Sequence, residues 1–135
     1  MNLNEFIFIV PVFNCENTIT QTILSVIAQS YKSWKIIIRS DLSTDQTVAR
    51  ARGMIDGLGL SDRIDLIENK EKYGEVRNVV ETLKKHEWCK NNDNAIIARL
   101  DGGDWLCYDA LAIINYIYEN EKCTTLWTDQ RWGYN

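Results

Sequence analysis

The sequence predicts an α/β fold of three layers, α/β/α, with a mostly parallel sheet between two layers of helices. Three observations carry this. Short apolar runs alternate with stretches of helical periodicity along the 135 residues, the pattern of βαβ units. The apolar runs are continuous rather than alternating, as strands buried on both faces read. Polar clusters follow strand after strand, and a parallel sheet gathers such clusters on one edge, at the carboxyl ends of its strands.

Phe6–Val10 is the first strand, stopped by Pro11, the chain's one proline. Thr18–Gln29 carries Ile19, Ile23, Leu24, Val26 and Ile27 at helical spacing. Lys35–Ile38 is the second strand. A helix follows from Thr44 to about Leu58, with Thr44 or Ser43 as its cap and Asp45 in its positive first turn. Gly57 and Gly59 end it. Ile64–Ile67 is the third strand, and Glu75–Lys85 a helix with Val76, Val79, Val80 and Leu83 on one face. Ala95–Leu100 is the fourth strand, Asp109–Glu121 a helix, and Thr124–Thr128 a short last strand. A chain this long is expected to form one domain over residues 1–135, large enough for a real core.

Composition narrows the function. Hydrophobic residues at 45% and charged residues at 25% are an ordinary globular balance. The net charge of −4, with a pI near 5.0, argues against nucleic acid, because no Lys/Arg stripe offers it a footprint. No apolar run reaches the roughly 20 residues of a membrane span, and the first residues lack a basic signal region. Cys15, Cys89, Cys107 and Cys123 are far apart and have no histidine partners, so reduced thiols in a cytoplasmic protein are expected. The one histidine, His86, sits among Lys84, Lys85 and Glu87 and reads as a solvated helix end.

Four clusters fall at strand ends. After the first strand come Pro11, Val12, Phe13, Asn14 and Glu16, where an aromatic and an amide flank either a planar base or simply the turn. After the second come Ser40 and Asp41, the aspartate well placed to accept hydrogen bonds from a base or ribose. Gly74 stands before the third helix and Arg77 on its first turn, suited to an anion at a helix start, or, for Arg77, to an ion pair with Glu81. After the fourth strand come Asp101, Gly102, Gly103 and Asp104. Carboxylates there can meet a divalent cation and its phosphate ligand, although Asp104 is equally well placed to start the next helix.

Together these clusters resemble the family 2 inverting glycosyltransferases, nucleotide-sugar enzymes of the GT-A fold. Pro11-Val12-Phe13-Asn14 matches the family's P-x-[YF]-N, with Glu16 nearby. Gln29 to Ile37 matches Q-[ST]-[YF]-x-x-[WF]-E-[IV]-[IV]. Ser40-Asp41-Leu42-Ser43-Thr44-Asp45 matches D-D-G-S-T-D, Gly74 to Asn78 matches G-x-x-R-N, and Leu100 to Leu106 matches L-D-x-D-D-W-L. The order holds over essentially the whole chain.

The resemblance implies a Rossmann-like sheet binding a nucleoside-diphosphate sugar, most often UDP-linked. It places Pro11, Val12, Phe13, Asn14, Glu16, Ser40, Asp41, Arg77, Asp101, Gly102 and Gly103 at the donor. It implies Mn²⁺ or Mg²⁺ held through Asp101, with Asp104 as substitute ligand, and direct displacement onto a hydroxyl of a saccharide, lipid or protein acceptor. Three departures stand out. Ser40 replaces the family's first aspartate, Gly103 replaces the second carboxylate of D-x-D, and the acceptor-binding half that carries the general base is expected to be missing. A non-catalytic nucleotide-sugar-binding or interaction module is the other reading. Self-association, or a partner chain, is expected at an apolar edge around Leu126, Trp127 and Trp132.

Overall fold

A computed structural model of the chain describes residues 3–129. Its elements are β1 (Phe6–Val12), α1 (Ile19–Ile27), β2 (Trp34–Ser40), α2 (Thr47–Gly57), β3 (Ile64–Glu68), α3 (Glu75–Lys85), α4 (Glu87–Lys90), β4 (Ile96–Arg99) and α5 (Ala110–Asn120). The four strands form one sheet in the order β3-β2-β1-β4. Every pairing is parallel, as continuously apolar strands joined through helices require.

All seven residues of β1 are buried, because β1 lies inside the sheet with helices over both faces. One face presents Phe6, Phe8, Val10, Trp34, Ile36, Ile38, Ile64 and Leu66 to Ile19, Ile23 and Val26 of α1, Ala51 and Ile55 of α2, and Leu111 of α5. Each such side chain removed from water stabilises by about 1.5–3 kcal/mol, so this face sets the register. The other face is mixed. Ile7, Ile9 and Ile37 are fully buried there, while Arg39 bonds Thr82 of α3, Asp65 bonds His86, and the Lys35 ammonium lies 5.1 Å from the ring centre of Trp88 in α4.

The register decides where the loops meet. Val12 pairs with Ser40, and Ser40 with Glu68, so β1, β2 and β3 end level. β4 ends at Arg99, opposite Ile9. Two further residues bring Asp101 to the level of Pro11, at the same edge as Asp41.

Several expectations need correction. Thr124–Thr128 forms no strand, and Trp127 is 90% exposed; a strand needs a ladder partner, which an apolar pattern does not supply. Trp132 lies outside the described residues. α2 begins at Thr47 instead of Thr44, because Asp45 Oδ1 accepts from both the N–H and the hydroxyl of Thr47 (2.9 and 2.6 Å) and holds the chain in a turn first. His86 is not solvated: Nε2 is 2.8 Å from Asp65, and Nδ1 accepts from the Trp88 N–H at the start of α4. Among the described residues no helix is long and apolar enough to cross a membrane, and all four cysteines are free.

Candidate functional site

A cavity of about 380 Å³ opens at the carboxyl edge of β1, β2 and β4. Pro11 and Val12 line it from the end of β1, Phe13 and Cys15 from the β1–α1 loop, and Asp41 from just past β2. Lys72, Gly74, Glu75 and Asn78 line it from the β3–α3 loop and α3, and Asp101, Gly102 and Gly103 from the end of β4. A groove of about 460 Å³ on the mixed face, lined by Arg39, Asp65, Ile67, Lys85, His86, Glu87 and Trp88, is larger. It runs along the sheet face over β2 and β3, and its charged groups are spent on neighbours: His86 on Asp65, Lys85 on Glu81, Lys90 on Glu87 and Arg39 on Asn69. The strand-end cavity is therefore the candidate site.

Asp41 is only 4% exposed, and its carboxylate is heavily bonded. Oδ1 accepts from Asn69 Nδ2 at 2.9 Å and from the Tyr73 N–H at 2.7 Å, and Oδ2 accepts from the Gly74 N–H at 2.9 Å. Burial pushes this carboxyl up, but the bonds from Tyr73, Asn69 and Gly74 outweigh it and hold the group below its ordinary value. Asp41 thus folds the β3–α3 loop over the cavity. Gly74 makes this geometry accessible: its φ of 78° and ψ of 164° lie in a region essentially reserved for glycine. Asn69 also donates to Asn78 Oδ1 at 2.7 Å and accepts from Arg39 Nε at 2.8 Å, extending the network under α3.

The β4 side is built differently. Gly102 fits against the β1–α1 loop so closely that a Cβ would stand 2.7 Å from Val12 Cγ1 and 2.8 Å from Cys15 Sγ. Its carbonyl accepts from the hydroxyls of Thr18 and Thr22, both at 3.0 Å. Next to this fixed glycine the Asp101 side chain is half exposed and bonded by Arg99, Nε to Oδ1 at 2.9 Å. Arg99 also donates from Nη2 to Glu75 at 3.0 Å, and these two carboxylates push the guanidinium pKa further up.

Other sequence-predicted residues are elsewhere. Asn14 accepts from the Thr44 N–H at 2.8 Å and Glu16 from the Gln46 N–H at 2.8 Å, so both tie the β1–α1 loop to the β2–α2 loop. Neither lines the cavity. Ser40 is buried with its hydroxyl 3.0 Å from that of Ser43. Arg77 also stays outside: it pairs with Glu71 at 3.1 Å and stacks 3.8 Å from the Tyr73 ring centre, not with Glu81. Asp104 is exposed and outside the lining, its N–H donating to the Asp101 carbonyl.

Lys72, Glu75, Asn69 and Arg99 were missed. One signal was available for Arg99: two residues apart on a strand end, Arg99 and Asp101 share a face. Cys15 borders the cavity as well, and burial holds its thiol above the ordinary range, with the charge of Asp45 adding to the effect. Both effects work against the thiolate form.

A divalent cation needs free oxygen ligands. Asp101 brings one carboxylate already bonded to Arg99, Gly103 brings none, and Asp104 points its charge outside the cavity lining. Among the described residues no group of three or more His, Cys, Asp or Glu side chains is placed to hold a metal. As placed, this donor set does not fit a protein-held metal.

A sequence model of glycosyl transferase family 2 matches residues 7–122. EpsE of Bacillus subtilis (strain 168), a protein named as a glycosyltransferase, is 44% identical over 62 residues, which are 46% of this chain and 22% of EpsE. Among solved structures, S. aureus TarS 1–349 in complex with UDP matches 85% of this chain and 32% of its own, with a TM-score of 0.64 and 22% identity. The mannosyltransferase PcManGT from Pyrobaculum calidifontis, in complex with GDP-Man and Mn²⁺, matches 86% of this chain and 33% of its own, with a TM-score of 0.68 and 20% identity. At these identities the structural likeness is one of fold. The chain spans less than a quarter of EpsE and about a third of the two solved chains.

Proposed function

The chain belongs to glycosyl transferase family 2, and from that membership we propose that it binds a nucleoside-diphosphate sugar, UDP-linked, in the strand-end cavity. The observation that carries this is the convergence of Phe13, Asp41, Asp101 and a glycine floor on one opening, at the edge where parallel sheets hold nucleotides. Phe13 is half exposed and offers the base a ring to stack on. Asp41 shapes the wall beside it and keeps unused acceptor capacity on Oδ2. Gly102 and Gly103 let the diphosphate approach the backbone, and Asp101 stands by the sugar.

In the complete reaction, an acceptor hydroxyl displaces the nucleoside diphosphate at the anomeric carbon with inversion, a base taking the hydroxyl proton. This chain supplies the donor-binding part of that step. Calorimetric titration with UDP, UDP-sugars and GDP-sugars, with Mn²⁺ and Mg²⁺ varied, tests the reading. Saturable binding that Phe13→Ala weakens supports it; no binding and no sugar-nucleotide hydrolysis under any of these conditions overturns it. Hydrolysis or transfer by the chain separates an enzyme from a module that only binds.

A further inference from the structure

Among the described residues lining the cavity Lys72 is the one that is cationic, and its ammonium is not spent on a carboxylate. It sits 3.4 Å from the ring centre of Phe13, on the ring face, and forms no ion pair among the described residues. Three carboxylates share the cavity with it, and each is engaged by something else: Asp41 by two backbone N–H groups and Asn69, Asp101 and Glu75 by the two arms of Arg99. The positive charge of Lys72 is therefore available to whatever enters.

An ammonium resting on an exposed aromatic ring gains only about 0.5–1 kcal/mol. A bond from an ammonium to a phosphate oxygen is charge-assisted and stronger, and a base stacked on the uncovered ring adds about 1–3 kcal/mol. Moving Lys72 from the ring to a diphosphate thus gains on both counts. Without such a ligand, the same side chain covers the stacking surface.

The opposite wall offers a metal little. At Asp101 a divalent cation meets a carboxylate already bonded through Oδ1 to the Arg99 guanidinium, whose positive charge repels it, and Gly103 supplies no second carboxylate to offset that repulsion. With Arg99 in place, the Asp101–Glu75 pair carries one compensating charge already, which lowers its repulsion of a polyanion.

We propose that this chain holds the diphosphate of its nucleotide donor with the Lys72 ammonium in place of a divalent metal, while Arg99 keeps Asp101 and Glu75 occupied. The proposal rests on the donor-binding reading above. Lys72 is then a residue of two positions: over Phe13 when the cavity is free, and on the diphosphate when the base takes its place. Binding of the nucleoside diphosphate is independent of metal, and only the phosphate-bearing ligand depends on Lys72.

The test is calorimetric titration of the chain with UDP and with uridine, GDP and guanosine alongside, at one ionic strength, in EDTA and in Mn²⁺. Lys72→Met, Lys72→Arg and Arg99→Gln are compared with the parent after circular dichroism confirms that each is folded. For the parent, the Kd for the nucleoside diphosphate agrees between EDTA and Mn²⁺ within about threefold, a difference well below that of one charge-assisted bond. Lys72→Met weakens the diphosphate by roughly 10–100-fold, the value of one such bond, and leaves the nucleoside unchanged or tighter. Lys72→Arg retains most of the affinity, and Arg99→Gln acquires a response to Mn²⁺. Diphosphate binding that requires Mn²⁺ in the parent, or a Lys72→Met variant equal to it, overturns the proposal and leaves the donor reading standing. Failure of nucleoside and diphosphate alike in both buffers overturns the donor reading, and this proposal with it.

Discussion

The two acidic walls of the cavity are opposites in construction. At the end of β2, Asp41 is buried and accepts three bonds, two of them from backbone N–H groups of a loop some thirty residues away. At the end of β4, Asp101 is half exposed and held by the side chain of Arg99. A carboxylate held by two backbone donors and a buried amide cannot change partner without opening its loop. One held by a surface arginine can change partner, since exposed ion pairs of this kind are worth about 0–1 kcal/mol. Both aspartates follow a parallel strand, yet the first is an anchor and the second an adjustable group.

The sharpest way to break this contrast is to remove each carboxylate. Asp41→Ala strands the buried Asn69 amide, at about 1–3 kcal/mol, and takes a charge-assisted bond from each of the more exposed Tyr73 and Gly74 N–H groups, at about 1–2 kcal/mol apiece. Urea denaturation is expected to show a loss of about 3 kcal/mol or more. Asp101→Ala strands no buried donor, and its expected change is about 0.5 kcal/mol. Equal losses at the two sites would end the distinction.

Next in size is Gly74→Ala, which forces a side chain into the glycine-only backbone region beside Asp41, at about 1–3 kcal/mol. Thermal unfolding is expected to show a clearly lowered midpoint. A parent-like Tm would mean that the loop does not depend on this bond.

Acid comes third. Because the Asp41 pKa is lowered from its ordinary value of 3.8, its contribution is complete above that value and is lost as the pH falls through the folded-state pKa. Stability of the parent and of Asp41→Asn is therefore expected to converge as denaturation is measured from pH 7 down below 3.8. A constant gap would assign the effect of Asp41 to something other than its charge.

The smallest effect on stability sharpens the β4 side. A Cβ at Gly103 meets nothing within 4 Å, so Gly103→Asp is expected to leave stability within about 0.5 kcal/mol. It restores a second carboxylate beside Asp101. Manganese binding followed by electron paramagnetic resonance is expected to rise over that of the parent; no rise would place the control of metal affinity wholly with Arg99.

Much of the fold was legible because it depends on local pattern. The boundaries of α3 agree at both ends, and β1, β2 and β3 extend a residue or two beyond the apolar runs that announced them. The last predicted strand was misread because apolar spacing says nothing about a pairing partner. For the site, position was legible and occupancy was not. Phe13, Asp41, Asp101, Gly102 and Gly103 all line the cavity, while Asn14, Glu16 and Ser40 bind neighbouring loop residues instead.

Sequence by itself determined a parallel α/β sheet and the strand ends on which the acids stand, because apolar runs and helical spacing are properties of neighbouring residues. Tertiary structure decided which charges are spent and which are free. Asn69, Tyr73 and Gly74 reach Asp41 across 28 to 33 residues, and Arg99 reaches Glu75 across 24. Lys72 meets Phe13 only because the β3–α3 loop folds over β1. Such pairings follow from strand register and loop closure, so the chemistry of each carboxylate is set by partners that its local sequence does not contain.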